Sequence, residues 1–326
     1  MPLFLELVRK ESARSPGLAR KALAGLELYA DATRIKRDPL PPSVATIGGS
    51  CLRDHGGAGP PLLLVPSLIN PPHILDLDRD TSLAVALTAN RRVLLLDWGK
   101  ASERANLSIA GHIESILVPL IEGLDEPPAL LGYCLGGTMA IAAAGLTKID
   151  RLATLAAPWH FAAYSDESRS ALARIWTSAR GPSACLGALP MEVLQAAFWA
   201  LDPGRTVAKF AHLAELDPAS DEARRFVMLE DWANEGEPLP LAAARELVED
   251  LFGADLPGKG HWRVGGQPVA DAPVDALHLT AANDHIVPAG SAPPGDIATI
   301  PSGHVGMIVG RARFALHDQL RAFLRH

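Results

Sequence analysis

The sequence has little cysteine: three residues in 326, namely Cys51, Cys134 and Cys185, with no Cys-x-x-Cys pair. Three cysteines are too few, and odd in number, for a disulfide framework, and they fit a reducing, cytoplasmic compartment. The chain also lacks a cluster of His, Cys, Asp and Glu at zinc spacing, a Gly-x-Gly-x-x-Gly motif and a phosphate loop. We therefore expect no metal and no redox cofactor.

Positive charge and long apolar runs are lacking too. The 30 Lys and Arg residues are outnumbered by 37 Asp and Glu, giving a net charge of -7 without a basic stripe. This excludes a nucleic-acid-binding role and a polybasic membrane anchor. No run is long and uncharged enough to predict a transmembrane segment. The first residues are interrupted by Glu6 and lack a small-residue cleavage site, which argues against a secretory signal.

What the chain does have is 48% hydrophobic residues, enough for a sizeable core. Short apolar runs that predict buried strands lie at 61–66, 92–99, 129–132, 152–156, 276–281 and 296–300. Helical stretches separate most of them. This alternation predicts an α/β fold with a mainly parallel sheet and helices on both faces.

Two segments depart from the alternation. Ser15-Pro16 predicts the start of one amphipathic helix, expected to pack on the body of the domain, with a partner- or surface-binding helix as the alternative. From about Tyr164 to Leu256 the pattern is nearly all helical, which is typical of a cap inserted over the carboxyl edge of the sheet. We divide the chain into an N-terminal helical segment at 1–45, a core at 46–160 and 265–326, and a cap at 161–264.

The most informative stretch is Gly132-Tyr133-Cys134-Leu135-Gly136-Gly137, where a buried strand stops abruptly before a helix. Glycines on both sides of Cys134 allow the strained turn and close strand-to-helix approach of a nucleophile elbow. A thiolate at a helix N-terminus is favoured by the unpaired N–H groups and the helix dipole. Cys134 is thus a candidate nucleophile, the alternative being a buried structural cysteine.

The α/β-hydrolase fold places its nucleophile, acid and histidine in that chain order, the last two on loops after late strands. Cys134, Asp284 and His304 follow this order. His304 would act as general base, and Asp284 would hold its tautomer and stabilise its charge. The alternatives are a turn aspartate and an ordinary polar loop histidine. Backbone N–H groups of Leu135, Ser67 and Leu68 are the candidates for the oxyanion hole.

Further residues lie on strand-end loops and are candidates for the surroundings of the cleft rather than for the chemistry. His285 adjoins Asp284, but the side chains of neighbours on one turn point apart. We therefore expect His285 not to act as the base and, at most, to support the residues that react. The full set of such candidates is His285, Tyr133, Asn70, Trp159 and His160.

From about Pro60 to the C-terminus these residues resemble the polyhydroxyalkanoate synthases, especially their short forms. The motifs that carry the resemblance are Val65-Pro66-Ser67-Leu68-Ile69-Asn70, Asp97-Trp98-Gly99, Gly132-Tyr133-Cys134-Leu135-Gly136-Gly137, Ala157-Pro158-Trp159-His160-Phe161, Met228-Leu229-Glu230-Asp231-Trp232, Asp284-His285-Ile286-Val287-Pro288 and Ser302-Gly303-His304-Val305-Gly306. The family's nucleophile, acid and base fall on Cys134, Asp284 and His304. His160 departs from the family, where an Asp is expected, and Ser302 replaces a frequent Gly.

The resemblance implies polymerisation of (R)-3-hydroxyacyl groups from coenzyme A thioesters through an acyl-Cys134 intermediate, with release of coenzyme A. It also implies a helical partner subunit and a place at the surface of a polyester granule, and a homodimer is compatible with it. The sequence leaves two other functions open. Water could resolve the acyl-enzyme, as in a Cys-nucleophile thioesterase or ester hydrolase, or the fold could serve a non-enzymatic interaction protein.

Overall fold

A computed structural model describes residues 2–34, 36–270 and 274–325. Its centre is an eight-stranded sheet in the order β1-β2-β4-β3-β5-β6-β11-β12, parallel except for the antiparallel β1 and β2. The strands are β1 (Ser43–Ile47), β2 (Ser50–Asp54), β3 (Pro61–Val65), β4 (Arg92–Asp97), β5 (Ala129–Tyr133), β6 (Leu152–Leu155), β7 (Ala188–Leu189), β8 (Leu239–Pro240), β9 (Arg263–Val264), β10 (Gln267–Pro268), β11 (Ala276–Ala281) and β12 (Asp296–Ile300). Two-residue pairs β7–β8 and β9–β10 lie outside the main sheet.

The central strands are continuously apolar because both faces of the sheet are covered. In β3, Leu63 and Val65 join one buried cluster and Leu62 and Leu64 join the other, as the two-residue period of a strand requires. The first cluster lies under the helical run that begins at Ile109, and the second under the helix that ends at Leu324. The sheet is thus the middle layer of three.

Helices supply the outer layers and the cap. They are α1 (Pro2–Glu11), α2 (Pro16–Asp31), α3 (Leu83–Leu87), α4 (Ile109–His112), α5 (Val118–Glu122), α6 (Leu135–Ala144), α7 (Asp166–Leu186), α8 (Met191–Leu201), α9 (Pro203–Leu213), α10 (Asp221–Asn234), α11 (Leu241–Arg245), α12 (Gly306–Val309) and α13 (Arg313–Leu324). π-helical turns at Ile113–Leu117 and Glu246–Gly253 continue α4 and α11. In the described residues, no helix combines the length and the apolar character needed to cross a membrane.

The N-terminal segment differs from what its sequence predicts. It contains two helices, α1 and α2, and α2 packs against α9 of the helical insertion rather than on the sheet. The contact is close, since a Cβ on Gly25 would lie 1.8 Å from the carbonyl oxygen of Phe210. Phe4, Val8 and Ala22 share a buried cluster with Val207 and Phe210. The N-terminal helices and α9 therefore form a core of their own.

The predicted α/β-hydrolase fold is confirmed by this mostly parallel sheet with its helices. The hairpin of β1 and β2 is not among the strands that the apolar runs predict, the first of which begins at residue 61. Glycines at 48 and 49, both with positive φ, form its turn. The division at residues 45, 160 and 264 remains an interpretation; β1 already begins at Ser43.

Candidate active site

Cys134 sits at the turn between β5 and α6 with φ 54° and ψ -129°. A positive φ is strained for a residue with a Cβ and persists only where the surroundings enforce it. Here the backbone N–H of Cys134 donates to the Leu155 carbonyl at 2.9 Å. A Cβ on Gly132 would come within 2.4 Å of the Gly137 Cα, so only glycine allows the strand and the helix to approach this closely.

Asp284 and His304 are brought together from two different loops. Asp284 follows β11 and His304 follows β12, and these strands are parallel neighbours, so the two loops lie at the same edge of the sheet. Nδ1 of His304 donates to Oδ2 of Asp284 at 2.7 Å. The other carboxylate oxygen of Asp284 accepts the backbone N–H groups of Ile286 and Val287, each at 2.8 Å. Both side chains are buried.

The electrostatics of His304 link this pair to Cys134. Burial disfavours the charged imidazole, but the negative charges of Cys134 and Asp284 and hydrogen bonds to both outweigh it and raise the pKa of His304 to about 10. A histidine that interacts with both a cysteine and a carboxylate is in the arrangement that can activate a cysteine nucleophile. The three side chains therefore form one electrostatic unit.

Two tyrosines lie close to this unit. The ring of Tyr133 lies 5.1 Å from that of His304, and its hydroxyl donates to the His304 carbonyl at 3.3 Å. Burial, together with the charges of Cys134 and Asp284, raises the pKa of Tyr133 well above its ordinary value, and burial with the same charges raises that of Tyr164. Both hydroxyls therefore stay protonated at neutral pH. No motif in the sequence singles out Tyr164.

A cavity of about 620 Å³ opens onto Cys134 and His304. Its wall includes aromatic and aliphatic side chains of α8 and α10, among them Phe198, Trp199, Phe226, Leu229 and Trp232. The cap wall is anchored to the core, since the indole N–H of Trp232 donates to the Pro71 carbonyl at 2.9 Å. The cavity can thus hold an apolar group beside the thiol.

Charged groups of α9 also line the cavity, and none of them is among the residues that the sequence motifs indicate. Arg205 is exposed, and Lys209, one turn further along α9, pairs with Glu230 at 2.5 Å. His285 is on the rim of the cavity, and its Nδ1 lies 3.7 Å from Oδ2 of Asp202. Arg205 and Lys209 are four residues apart, a helical repeat that marks a shared face, but no pattern in the sequence indicates that this face meets the elbow.

The structure places some of the remaining candidate residues at the cavity and others away from it. Ser67 and Asn70 line the cavity with Cys134, and Leu135 begins α6 directly after it. The side chain of Leu68 is buried in the core. Trp159 packs edge-on against Trp262, and the backbone N–H groups of Trp159 and His160 both donate to the Ser291 carbonyl. In the described part of the chain, neither Trp159 nor His160 is among the residues that line this cavity.

No group of three or more His, Cys, Asp or Glu residues within the described ranges is arranged to hold a metal ion.

Comparison with known proteins gives two results. No family model matches the chain. Among curated proteins it is similar to the poly(3-hydroxyalkanoate) polymerase subunits PhaC of Haloferax mediterranei, at 25% identity over 76% of this chain and 55% of that protein, and of Allochromatium vinosum, at 28% identity over 78% and 77%. The chain thus spans about half the length of the Haloferax relative.

Solved structures give the fold. An epoxide hydrolase of Bacillus megaterium matches with a TM-score of 0.57 at 14% identity, over 86% of this chain and 99% of that one. A structure from a study of carboxylesterases of Nitrososphaera gargenis matches with a TM-score of 0.51 at 15% identity, over 87% and 98%. The polymerase relatives confirm the resemblance carried by the motifs: the chain is a protein of the α/β-hydrolase fold similar to the polyhydroxyalkanoate synthases.

Proposed function

We propose that this protein is an acyltransferase that polymerises (R)-3-hydroxyacyl groups from coenzyme A thioesters, with Cys134 as nucleophile, His304 as base and Asp284 as its orienting acid. One observation carries the proposal: the His304–Asp284 hydrogen bond of 2.7 Å stands beside a cysteine held at a strained elbow, at one end of a cavity. The similarity to polymerase subunits favours acyl transfer to a hydroxyl over other reactions of this fold.

The reaction has two halves. The Cys134 thiolate adds to the thioester carbonyl, the bond from carbon to the sulfur of coenzyme A breaks, and His304 supplies the proton to the departing thiolate. The hydroxyl of another acyl unit then attacks the Cys134 thioester. His304 takes the hydroxyl proton, an ester bond forms, and the sulfur of Cys134 leaves as thiolate. Exchange between two thioesters keeps the acyl group reactive for the second half.

The lining of the cavity supports a coenzyme A thioester as substrate. The apolar wall beside Cys134 suits a short acyl chain, and Arg205 provides positive charge for phosphate groups, whereas the charge of Lys209 is already paired with Glu230. Water competes with the hydroxyl acceptor, so the helical insertion over the cavity would limit hydrolysis by excluding it. No metal or redox cofactor enters the proposed reaction.

We further propose a helical partner subunit, with a homodimer as the other assembly, and action at the surface of a polyester granule in the cytoplasm. The relatives are themselves named as polymerase subunits, which supports a partner.

The product of 3-hydroxybutyryl-coenzyme A tests the proposal. Purified protein should release coenzyme A and yield oligomers, and Cys134→Ala should abolish both, while Cys185→Ala, at an exposed position on α7, should change neither. Free 3-hydroxybutyrate as the sole product would replace polymerisation by thioester hydrolysis. Absence of turnover, with Cys134 alkylated no faster than Cys51 and Cys185, would contradict any catalytic role and favour an interaction protein.

A further inference from the structure

The peptide unit between Pro66 and Ser67 lies at the end of β3, beside the elbow. All peptide bonds in the described residues are trans, so the carbonyl of Pro66 and the N–H of Ser67 point in opposite directions from one rigid plane. Whatever fixes the carbonyl therefore also fixes the direction of the N–H.

The carbonyl is held from two sides. The indole N–H of Trp98, which is buried, donates to the Pro66 oxygen at 3.0 Å. A Cβ on Gly136 would lie 2.6 Å from the same oxygen and 2.1 Å from that of Val65, so the first turn of α6 abuts this strand end. The peptide is thus pinned between Trp98 and the helix that begins at the elbow.

The opposite side of the peptide is open. Within residues 2–34, 36–270 and 274–325, no group accepts the Ser67 N–H, and the Ser67 hydroxyl is engaged locally by the N–H of Ile69 at 3.2 Å. Ser67 lines the cavity together with Cys134. A hydrogen bond to the carbonyl polarises an amide and makes its N–H a stronger donor. The Trp98 bond therefore both aims and strengthens this donor.

The indole of Trp98 packs against the ring of His112, which is uncharged at neutral pH. The His112 ring stands nearly perpendicular to the indole, 5.7 Å away. A guanidinium can only donate, so Nε2 of His112 accepts from Arg104 at 3.0 Å and Nδ1 carries the proton that it donates to the Ser108 carbonyl at 2.6 Å. Burial, with the Arg104 charge, outweighs the Ser108 bond and lowers the pKa of His112 to about 4, so the ring is neutral at neutral pH.

We propose that Trp98 is a positioning residue for the oxyanion hole, holding the Ser67 N–H toward the carbonyl oxygen that becomes negative when Cys134 adds to a thioester. The inference rests on the acyl transfer proposed above. The N–H of Leu135, at the start of α6, would be the other donor. From their place in the sequence Ser67 and Leu68 are equal candidates for this donor, and the hydrogen bond from Trp98 to the Pro66 carbonyl selects Ser67.

The test compares two reactions of the same sulfur. Acylation by 3-hydroxybutyryl-coenzyme A passes through an oxyanion, whereas alkylation by iodoacetamide displaces iodide at carbon and forms none. Trp98→Phe keeps an aromatic ring but lacks the N–H. Since loss of a whole oxyanion donor costs about 10²–10³-fold in rate, we expect single-turnover acylation to slow by roughly 10-fold or more, with alkylation of Cys134 unchanged. The matched control is Trp176→Phe, which removes an indole bond to Glu249 within the cap, at 2.9 Å, and should alter neither rate.

Three outcomes contradict the inference. The first is a Trp98→Phe variant that is acylated as fast as the wild-type protein. The second is a variant that loses acylation and alkylation equally, which would make Trp98 a general support of the fold. Benzothienylalanine at position 98 keeps the bicyclic shape with sulfur in place of the N–H. The third contradicting outcome is a normal rate of acylation in that variant. The same variant replaces Trp98→Phe in the test if Trp98→Phe does not fold. A wild-type protein that is neither acylated nor preferentially alkylated at Cys134 would instead refute the proposed function.

Discussion

Replacement of Asp284 by asparagine tests the proposed catalytic unit with almost no change of shape, and the structure dictates how the amide would sit. Two backbone N–H groups, of Ile286 and Val287, point at Oδ1. The amide oxygen must stay there, because an NH₂ group would face two other donors. The NH₂ then faces His304 and donates to Nδ1. The ring proton moves to Nε2, which can no longer accept a proton from Cys134.

The expected loss follows from the same contacts. A pKa of about 10 for His304, against an ordinary 6.5, corresponds to roughly 5 kcal/mol in favour of the imidazolium. Asp284→Asn removes one of the charges responsible and reverses the tautomer. In a Ser-His-Asp triad this change lowers kcat by about 10⁴-fold, and because a thiol depends less on its base than a hydroxyl does, we expect roughly 10²–10³-fold here with KM little changed.

The assay is the rate of coenzyme A release at saturating 3-hydroxybutyryl-coenzyme A. Heteronuclear NMR of the imidazole nitrogens would show which one carries the proton. Asp217→Asn is the matched control, because Asp217 caps a surface turn through the N–H of Ala219 and an asparagine does the same. A kcat for Asp284→Asn equal to that of the wild-type protein, or a proton still on Nδ1, would refute the reasoning.

Two further predictions concern stability. Gly25→Ala should lower the free energy of unfolding by about 1–3 kcal/mol, because its Cβ overpacks against the Phe210 carbonyl. Gly17→Ala on the same helix, where no atom lies within reach of the added Cβ, should be neutral or stabilising. Urea unfolding measures both variants, and equal effects would contradict the close α2–α9 contact. Burial and the charges of Arg321 and Arg313 lower the pKa of His317 to about 4, so below pH 6.5 the unfolded chain binds the proton first and stability falls until about pH 4. His317→Leu should therefore remove about 1–2 kcal/mol of the stability lost between pH 7 and pH 5, and an unaltered pH dependence would contradict this.

The elbow and the Asp284–His304 pair could be predicted because their signals are local. Glycines flank Cys134 at fixed spacing, and the two partners end consecutive strands of a parallel sheet, whose loops must meet at one edge. The hairpin at Gly48 and Gly49 also had a signal, since two glycines between short alternating runs favour a tight turn.

Other features depend on which distant surfaces meet, and no periodicity contains that information. The apolar stripe of α2 shows that one face of the helix is covered but not by which surface; the close approach of Gly25 to the Phe210 backbone shows that the surface is α9. The place of Arg205 at the cavity depends on how the insertion folds back over the elbow. The bond from Trp98 to Pro66 joins the ends of two strands, and a tryptophan in a strand-end motif is equally compatible with simple core packing.

The shared core of the N-terminal helices and α9 has a consequence for biosynthesis. Residues such as Phe4, Val8 and Ala22 leave the ribosome long before Val207 and Phe210 exist to cover them. While the six sheet strands β1 to β6 and the elbow are being synthesised, the apolar side chains of α1 and α2 therefore stay uncovered on the nascent chain. Closure of that long loop comes late, so slow translation ahead of α9 should lengthen the window for aggregation or for capture by a chaperone.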